Sequence, residues 1–122
     1  MAKTIMIVDD SSSVRQVIGI TLRGAGYEVI EGCDGVDALK HLDGRKVHLI
    51  VSDVNMPNMD GITFVKNVKL LPSYRFTPVI MLTTESADEK KREGQAAGAK
   101  AWVVKPFKPE VLLNAVQKLI LP

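Results

Sequence analysis

With Cys33 as its only cysteine, this chain of 122 residues cannot close a disulfide on itself. It lacks any apolar run near the roughly 18 residues that suggest a membrane span. It opens Met-Ala-Lys-Thr straight into a strand-like run, without the charged, apolar and small-residue succession of a signal peptide. A reducing cytoplasm is the simplest compartment for such a chain. Neither charge sign dominates: 16 Lys and Arg face 14 Asp and Glu, a formal net charge of +2. That excludes the broad basic footprint of a nucleic-acid binder. The cluster Lys90-Lys91-Arg92, set among Asp88, Glu89 and Glu93, reads as a solvated helix face. Repeats, low-complexity tracts and linkers are absent as well. What remains is ordinary globular composition, 46% hydrophobic and 25% charged, enough for the core of one compact domain and too short for two.

The apolar runs alternate between two periods. Thr4 to Val8 is a short apolar strand ending on Asp9-Asp10. Ser11 to Ser13 can cap a helix in which Val14, Val17, Ile18, Leu22 and Ala25 recur at helical spacing, closed by Gly24 and Gly26. Tyr27 to Ile30 is a strand with partial alternation, as an edge strand should have. Asp34-Gly35 turns into a short helix holding Val36, Ala38, Leu39 and Leu42, closed near Gly44. Val47 to Ser52 is the third strand, and Gly61 to Leu71 the third helix, stopped by Pro72. Val79 to Leu82 ends on Thr83-Thr84. Ala87 to Ala97 is helical by propensity but poor in large apolar residues, and Gly94 within it weakens it by roughly 1 kcal/mol relative to alanine. Ala101 to Val104 is the last strand. Pro109 starts a final helix with Val111, Leu112, Ala115, Val116, Leu119 and Ile120 in one apolar stripe.

Five strand–helix pairs in strict alternation predict an α/β fold, a parallel sheet covered on both faces. Right-handed crossovers leave few topologies, and five strands suit a doubly wound, flavodoxin-like (βα)5 sheet in the order 2-1-3-4-5. Ligands of such sheets bind outside the carboxyl ends of the strands. The ends here carry Asp9 and Asp10 (strand one), Asp53 (strand three), Thr83 (strand four) and Lys105 (strand five). One Asp after a strand is usually a turn former or a helix cap, so it is their meeting at one edge that counts. Three carboxylates on adjacent strands repel one another unless a cation lies between them. A hard divalent ion fits, and Mg²⁺ takes oxygen ligands, whereas no Cys or His at these ends invites a softer metal. Lys105 adds a point charge suited to a phosphoryl group, and Thr83 a hydroxyl. Carboxylate, Mg²⁺, Lys and hydroxyl are the parts that phosphoryl transfer uses, and an Asp carboxylate can itself accept the group.

Taken together, V-D-D-S at 8–11, V-S-D-V-N-M-P-N-M-D-G at 51–61, M-L-T-T-E at 81–85 and W-V-V-K-P-F at 102–107 resemble the receiver domain of two-component response regulators. The resemblance covers the chain in order and spacing. Because the sequence ends with the fifth helix, a receiver over residues 1–122 without an effector domain is expected, similar to the stand-alone chemotaxis regulators of the CheY type. The resemblance implies that Asp53 is the phosphoacceptor and that Asp9, Asp10 and Asp53 hold Mg²⁺ with the backbone carbonyl of Asn55. It implies Thr83 as the switch hydroxyl, Lys105 as the phosphoryl partner, and a cis bond between Lys105 and Pro106. Asn55 and Glu85 match positions that tune the lifetime of the acyl phosphate, in a pairing seen in fast-cycling regulators. Trp102 stands at the strand-five aromatic that moves when Thr83 is drawn inward, where motor-binding relatives carry Tyr.

The implied partners are a sensor histidine kinase of the chemotaxis type, a flagellar motor switch protein docking on the face of helix four, strand five and helix five, and a phosphatase. The protein itself is expected to be a cytoplasmic monomer that catalyses only its own phosphotransfer and dephosphorylation. Within this class, a phosphate sink or a phosphorelay intermediate are the alternative outputs. An Asp-nucleophile phosphohydrolase is a rival of another class; it would want a second Asp two residues after the nucleophile, where Asn55 cannot transfer a proton. An FMN carrier is a further rival, opposed by the negative charge of Asp9 and Asp10.

Overall fold

The computed structural model describes residues 2–84 and 88–122, with backbone alone for 88–90. Strands and helices alternate as β1 (Thr4–Val8), α1 (Ser12–Gly24), β2 (Glu28–Gly32), α2 (Gly35–His41), β3 (Leu49–Asp53), α3 (Gly61–Leu70), β4 (Val79–Thr83), α4 (Asp88–Ala97), β5 (Ala101–Val104) and α5 (Pro109–Leu119). The five strands form one sheet in the order β2-β1-β3-β4-β5, with every neighbouring pair parallel. Fold class and strand order are those the sequence predicts.

The continuous apolar strands follow from a sheet buried on both sides, because successive side chains point to opposite faces. Ile5, Ile7, Leu49, Val51, Ile80 and Leu82 pack with Ile18 and Leu22 of α1 and with Leu112 and Val116 of α5. Met6, Val8, Ile50, Val79 and Met81 face the other way, onto Ala38 of α2 and Phe64, Val65 and Val68 of α3. Each fully buried Ile, Leu, Val, Met or Phe contributes roughly 1.5–3 kcal/mol of transfer free energy, so the two half-cores clamp the central strands.

Helix starts follow local chemistry. Ser11, Asp34 and Asp60 each accept a hydrogen bond from a first-turn amide, of Val14, Asp37 and Thr63 respectively, which satisfies an otherwise orphan donor. Pro109 occupies the first turn of α5, where its missing N–H costs nothing. Gly98, at φ +117°, closes α4 in a conformation that side chains rarely adopt.

Two strands, β2 and β3, differ from the sequence expectation at both of their ends. β2 starts one residue later than Tyr27, whose amide instead donates to the carbonyl of Leu22 at the end of α1. It also runs on through Glu31 and Gly32, which pair with Ile7 and Val8. β3 runs from Leu49 rather than Val47 and extends through Asp53, which pairs with Leu82 of β4. Pairing, more than residue type, decided where the two strands stop. At the start of α4, Ala87 lies outside the described residues.

Candidate functional site

The carboxyl edge of the sheet gathers side chains that sequence distance separates. Asp9 follows β1, Asp53 ends β3, and Lys105 follows β5. Carboxylate oxygens of Asp9, Asp10 and Asp53 all lie within 4.8 Å of one another. Lys105 Nζ reaches across from the far side, 2.9 Å from Asp9 Oδ2 and 3.4 Å from Asp53 Oδ1. Asp9 and Asp53 are buried, at 1% and 7% exposure, and Asp10 is exposed. The cleft therefore has a walled, low-dielectric floor and a carboxylate at its mouth.

Local bonds fix each group. The amide of Ser11 donates to Asp9 Oδ1 at 2.9 Å, so this carboxylate both shapes the turn into α1 and turns its second oxygen toward the cluster. Arg15 donates to the carbonyl of Asp9 and pairs with Glu31. Asp53 Oδ1 accepts from the amide of Val54 at 2.9 Å. The amide of Lys105 donates to the carbonyl of Thr83 at 2.7 Å, which anchors the lysine's backbone on β4. Thr83 itself is fully buried at the end of that strand. The Lys105–Pro106 peptide bond is cis. Lys105 also borders a largely apolar groove of about 490 Å³ between α1 and the segment after β5, lined by Val14, Val17, Ile18, Pro106 and Phe107.

Electrostatics follow from this crowding. Burial, and then the negative charge of Asp9, push the Asp53 carboxyl above its ordinary value, with Lys105 and the Val54 amide opposing. Burial works against the charge on Lys105, but its bond to Asp9 and the charges of Asp53 and Asp9 outweigh it, and its pKa rises. Three carboxylates against one ammonium leave a formal imbalance of two negative charges, all on hard oxygen donors. That donor set suits a divalent cation of the Mg²⁺ class and offers nothing to a soft metal.

The remaining sequence candidates are Asn55, Trp102 and Glu85. Asn55 is exposed in the loop two residues after Asp53. Trp102 sits on β5 but packs toward α4, away from the carboxylates. Glu85 falls outside the described residues.

Two residues that sequence reasoning treated only as turn formers help to build the site. Gly61 comes so close to the end of β3 that a Cβ there would lie 2.1 Å from the carbonyl oxygen of Asp53, while its amide donates to Val54 at 2.7 Å. Asp34 caps α2 with one oxygen and accepts from the Asn58 side chain with the other, at 2.8 Å. It thereby ties the loop carrying Asn55 to the neighbouring edge. The only hints in sequence were the D-G pairs at 34–35 and 60–61.

Comparisons with known proteins agree with this fold. The Vibrio cholerae chemotaxis protein CheY4, crystallised at low pH, superposes with a TM-score of 0.94 at 49% identity, covering 98% of this chain and 99% of that one. Chemotaxis protein CheY1 of Helicobacter pylori is 36% identical over 118 residues, 95% of each chain. The receiver domain of a Pseudomonas aeruginosa sensor histidine kinase, solved with a magnesium ion coordinated in its active-site cleft, superposes at 0.89 with 26% identity over 98% of both chains. A family model described as the response regulator receiver domain matches residues 5–117, and the chain belongs to that family.

Proposed function

We propose that this protein is a phosphorylation-driven signalling switch in which Asp53 accepts a phosphoryl group from the phosphohistidine of a sensor kinase. The observation that carries the reading is the meeting of Asp9, Asp10, Asp53 and Lys105 at one sheet edge, with carboxylates inside 4.8 Å and the ammonium 3.4 Å from Asp53. In the transfer, a carboxylate oxygen of Asp53 forms a bond to phosphorus as the P–N bond of the phosphohistidine breaks, and the imidazole leaves with the bonding electrons. The product is an acyl phosphate. Lys105, already poised between Asp9 and Asp53, moves its charge onto the incoming phosphoryl oxygens. Asp9, Asp10, Asp53 and the carbonyl of Asn55 are the groups that would hold Mg²⁺. When bound, that ion neutralises charge developing on the transferred group.

After transfer, the added charge draws the Thr83 hydroxyl toward the phosphoryl group, and Trp102 adjusts to the space this leaves. The face of α4, β5 and α5 then changes its binding properties, as a shift between two packings. Val104 and Val111, 41% and 46% exposed, give that face apolar contacts for a partner. Asn55 and Glu85 tune hydrolysis of the acyl phosphate, and the amide of Asn55 cannot transfer the proton that a phosphohydrolase would move from that position. The names of the similar proteins favour chemotaxis, with a histidine kinase upstream and a flagellar switch protein downstream, in the cytoplasm. No helix among the described residues is long and apolar enough to cross a membrane.

Acetyl phosphate with Mg²⁺ should label the wild type and not Asp53→Asn; label that persists in the variant refutes the site. A pull-down with beryllofluoride and Mg²⁺, wild type against Asp53→Ala, tests the output. Capture of a flagellar switch protein by the wild type alone is expected, and identical partners in both samples would sink the switch.

A further inference from the structure

Trp102 is the only tryptophan in the chain. It lies on β5 opposite Met81 of β4 and packs, partly buried, against the core on the α2, α3 and α4 side of the sheet. Its Nε1 is shut off from solvent without a hydrogen-bond partner among the described residues. Buried indole N–H groups usually find an acceptor, but among the described residues no polar contact holds this ring in place.

Shape does. Gly94 is buried on the facing side of α4, and a Cβ built there would lie 2.7 Å from Cζ3 and 3.3 Å from Cε3 of the indole. The first distance is one that real Cβ atoms essentially never show. Backbone conformation does not require glycine at this position, since the positive-φ glycines among the described residues are Gly26, Gly44 and Gly98. The helix would accept alanine, which is the better helix former. The indole is what forbids it.

We infer that Gly94 is a positioning residue for Trp102: its missing side chain is the berth that admits the indole against α4. With no partner for Nε1 among the described residues, fit is what holds the ring there. Its regulatory consequence rests on the phosphoryl-switch reading given above. An aromatic ring with no polar anchor among the described residues, two residue pairs along the β4–β5 ladder from Thr83 and on the same face, moves between packings when the neighbourhood of Thr83 changes. The surface of α4 follows, because Gly94 and the ring are in contact.

The sole tryptophan makes the test direct, since emission excited at the red edge, where tyrosine is silent, reports Trp102 alone. Gly94→Ala should shift that emission to the red and raise its quenching by acrylamide. It should also lower the melting temperature. In a Trp102→Phe background, where the smaller ring lacks the edge that meets Gly94, the same alanine should raise the melting temperature through helix propensity. Unchanged emission and quenching in Gly94→Ala, or melting shifts of the same sign in both backgrounds, would overturn the berth. Beryllofluoride with Mg²⁺, added to the wild type, separates the two readings. If the berth results hold and emission does not respond, the phosphoryl switch fails while the positioning role stands. If emission responds and Gly94→Ala leaves it unmoved, the switch stands and the berth is wrong.

Discussion

Replacing Gly61 by alanine would test how closely Asp53, the proposed phosphoacceptor, depends on the backbone beside it. A Cβ at this position lies 2.1 Å from the carbonyl oxygen of Asp53, 2.8 Å from Met81 Cε and 2.9 Å from Val54 Cα. Met81 has a flexible end and can yield, but the other two atoms are backbone. Ordinary contact begins at 3.4 Å, so the end of β3 and the start of α3 must separate by about 1.3 Å. Overpacking a tight site costs typically 1–3 kcal/mol, and backbone on both sides puts this one near the top, about 3 kcal/mol. At a urea m-value of about 2 kcal/mol/M, the unfolding midpoint should fall by about 1.5 M. The displacement lands on Asp53 itself, and a misplacement of about 1 Å in a catalytic constellation can cost on the order of 100-fold in rate. Labelling by acetyl phosphate should slow accordingly, under conditions where circular dichroism shows the variant folded. Gly24→Ala is the internal control, since a Cβ there meets nothing within 4 Å, and a gain of up to about 1 kcal/mol is expected from helix propensity. If Gly61→Ala unfolds within about 0.5 kcal/mol of wild type, as a neutral surface change would, and labels at the wild-type rate, the close approach has no consequence and the reasoning is wrong.

Mg²⁺ should stabilise the folded protein by about 2.7 kcal/mol at 100 times its dissociation constant, read as a shift in denaturation midpoint, and Asp9→Asn should abolish most of that shift. In metal-free buffer Asp53→Asn should be more stable than wild type, because burial and Asp9 both disfavour the Asp53 charge; a less stable variant would contradict the electrostatic account. His48 accepts from the amide of Thr4 at 3.0 Å through Nδ1, and burial, Lys46 and Lys3 hold its pKa below the ordinary 6.5. Its unfolded form therefore takes up a proton first. The contribution is fully present above 6.5 and is lost as pH falls from there through the folded pKa, so a His48→Asn variant should show a flatter stability curve in that window. Asn58→Asp should set a carboxylate against Asp34 where a 2.8 Å hydrogen bond now stands, costing about 1–3 kcal/mol by urea unfolding. Equal stability at low and high salt would argue against that tether.

Much of the fold was legible because the strands are buried on both faces and carry their apolar runs without interruption. Asp9, Asp10, Asp53 and Lys105 could be collected from sequence because parallel strands all end at one edge, whatever their separation along the chain. Boundaries were less legible. Asp53 is a poor strand former that nonetheless pairs within β3, since its place is set by the ladder with β4. Gly61 and Gly94 were read through backbone propensity, whereas their meaning is steric and lies in what approaches them: the carbonyl of Asp53 in one case, the ring of Trp102 in the other. Asp34 looked like a turn residue because its partner Asn58 is 24 positions away. Contacts of that kind leave no periodic trace.

The common direction of the strands also sorts charge along the molecule. Lys3, Lys46 and Lys100 each stand within a few residues of the start of a strand, and Arg23, Lys40, Lys69 and Lys118 occupy last turns of helices that return to the same edge. Asp9, Asp10, Asp34, Asp53 and Asp60 lie at the opposite edge, where those helices begin. A formal net charge of only +2 thus conceals a separation of poles along the strand axis. As a partner comes near, the poles add to the field of the net charge, so a basic surface is turned toward the edge that carries Asp9, Asp10 and Asp53. That orientation fades once ionic strength brings the screening length to about 10 Å or less.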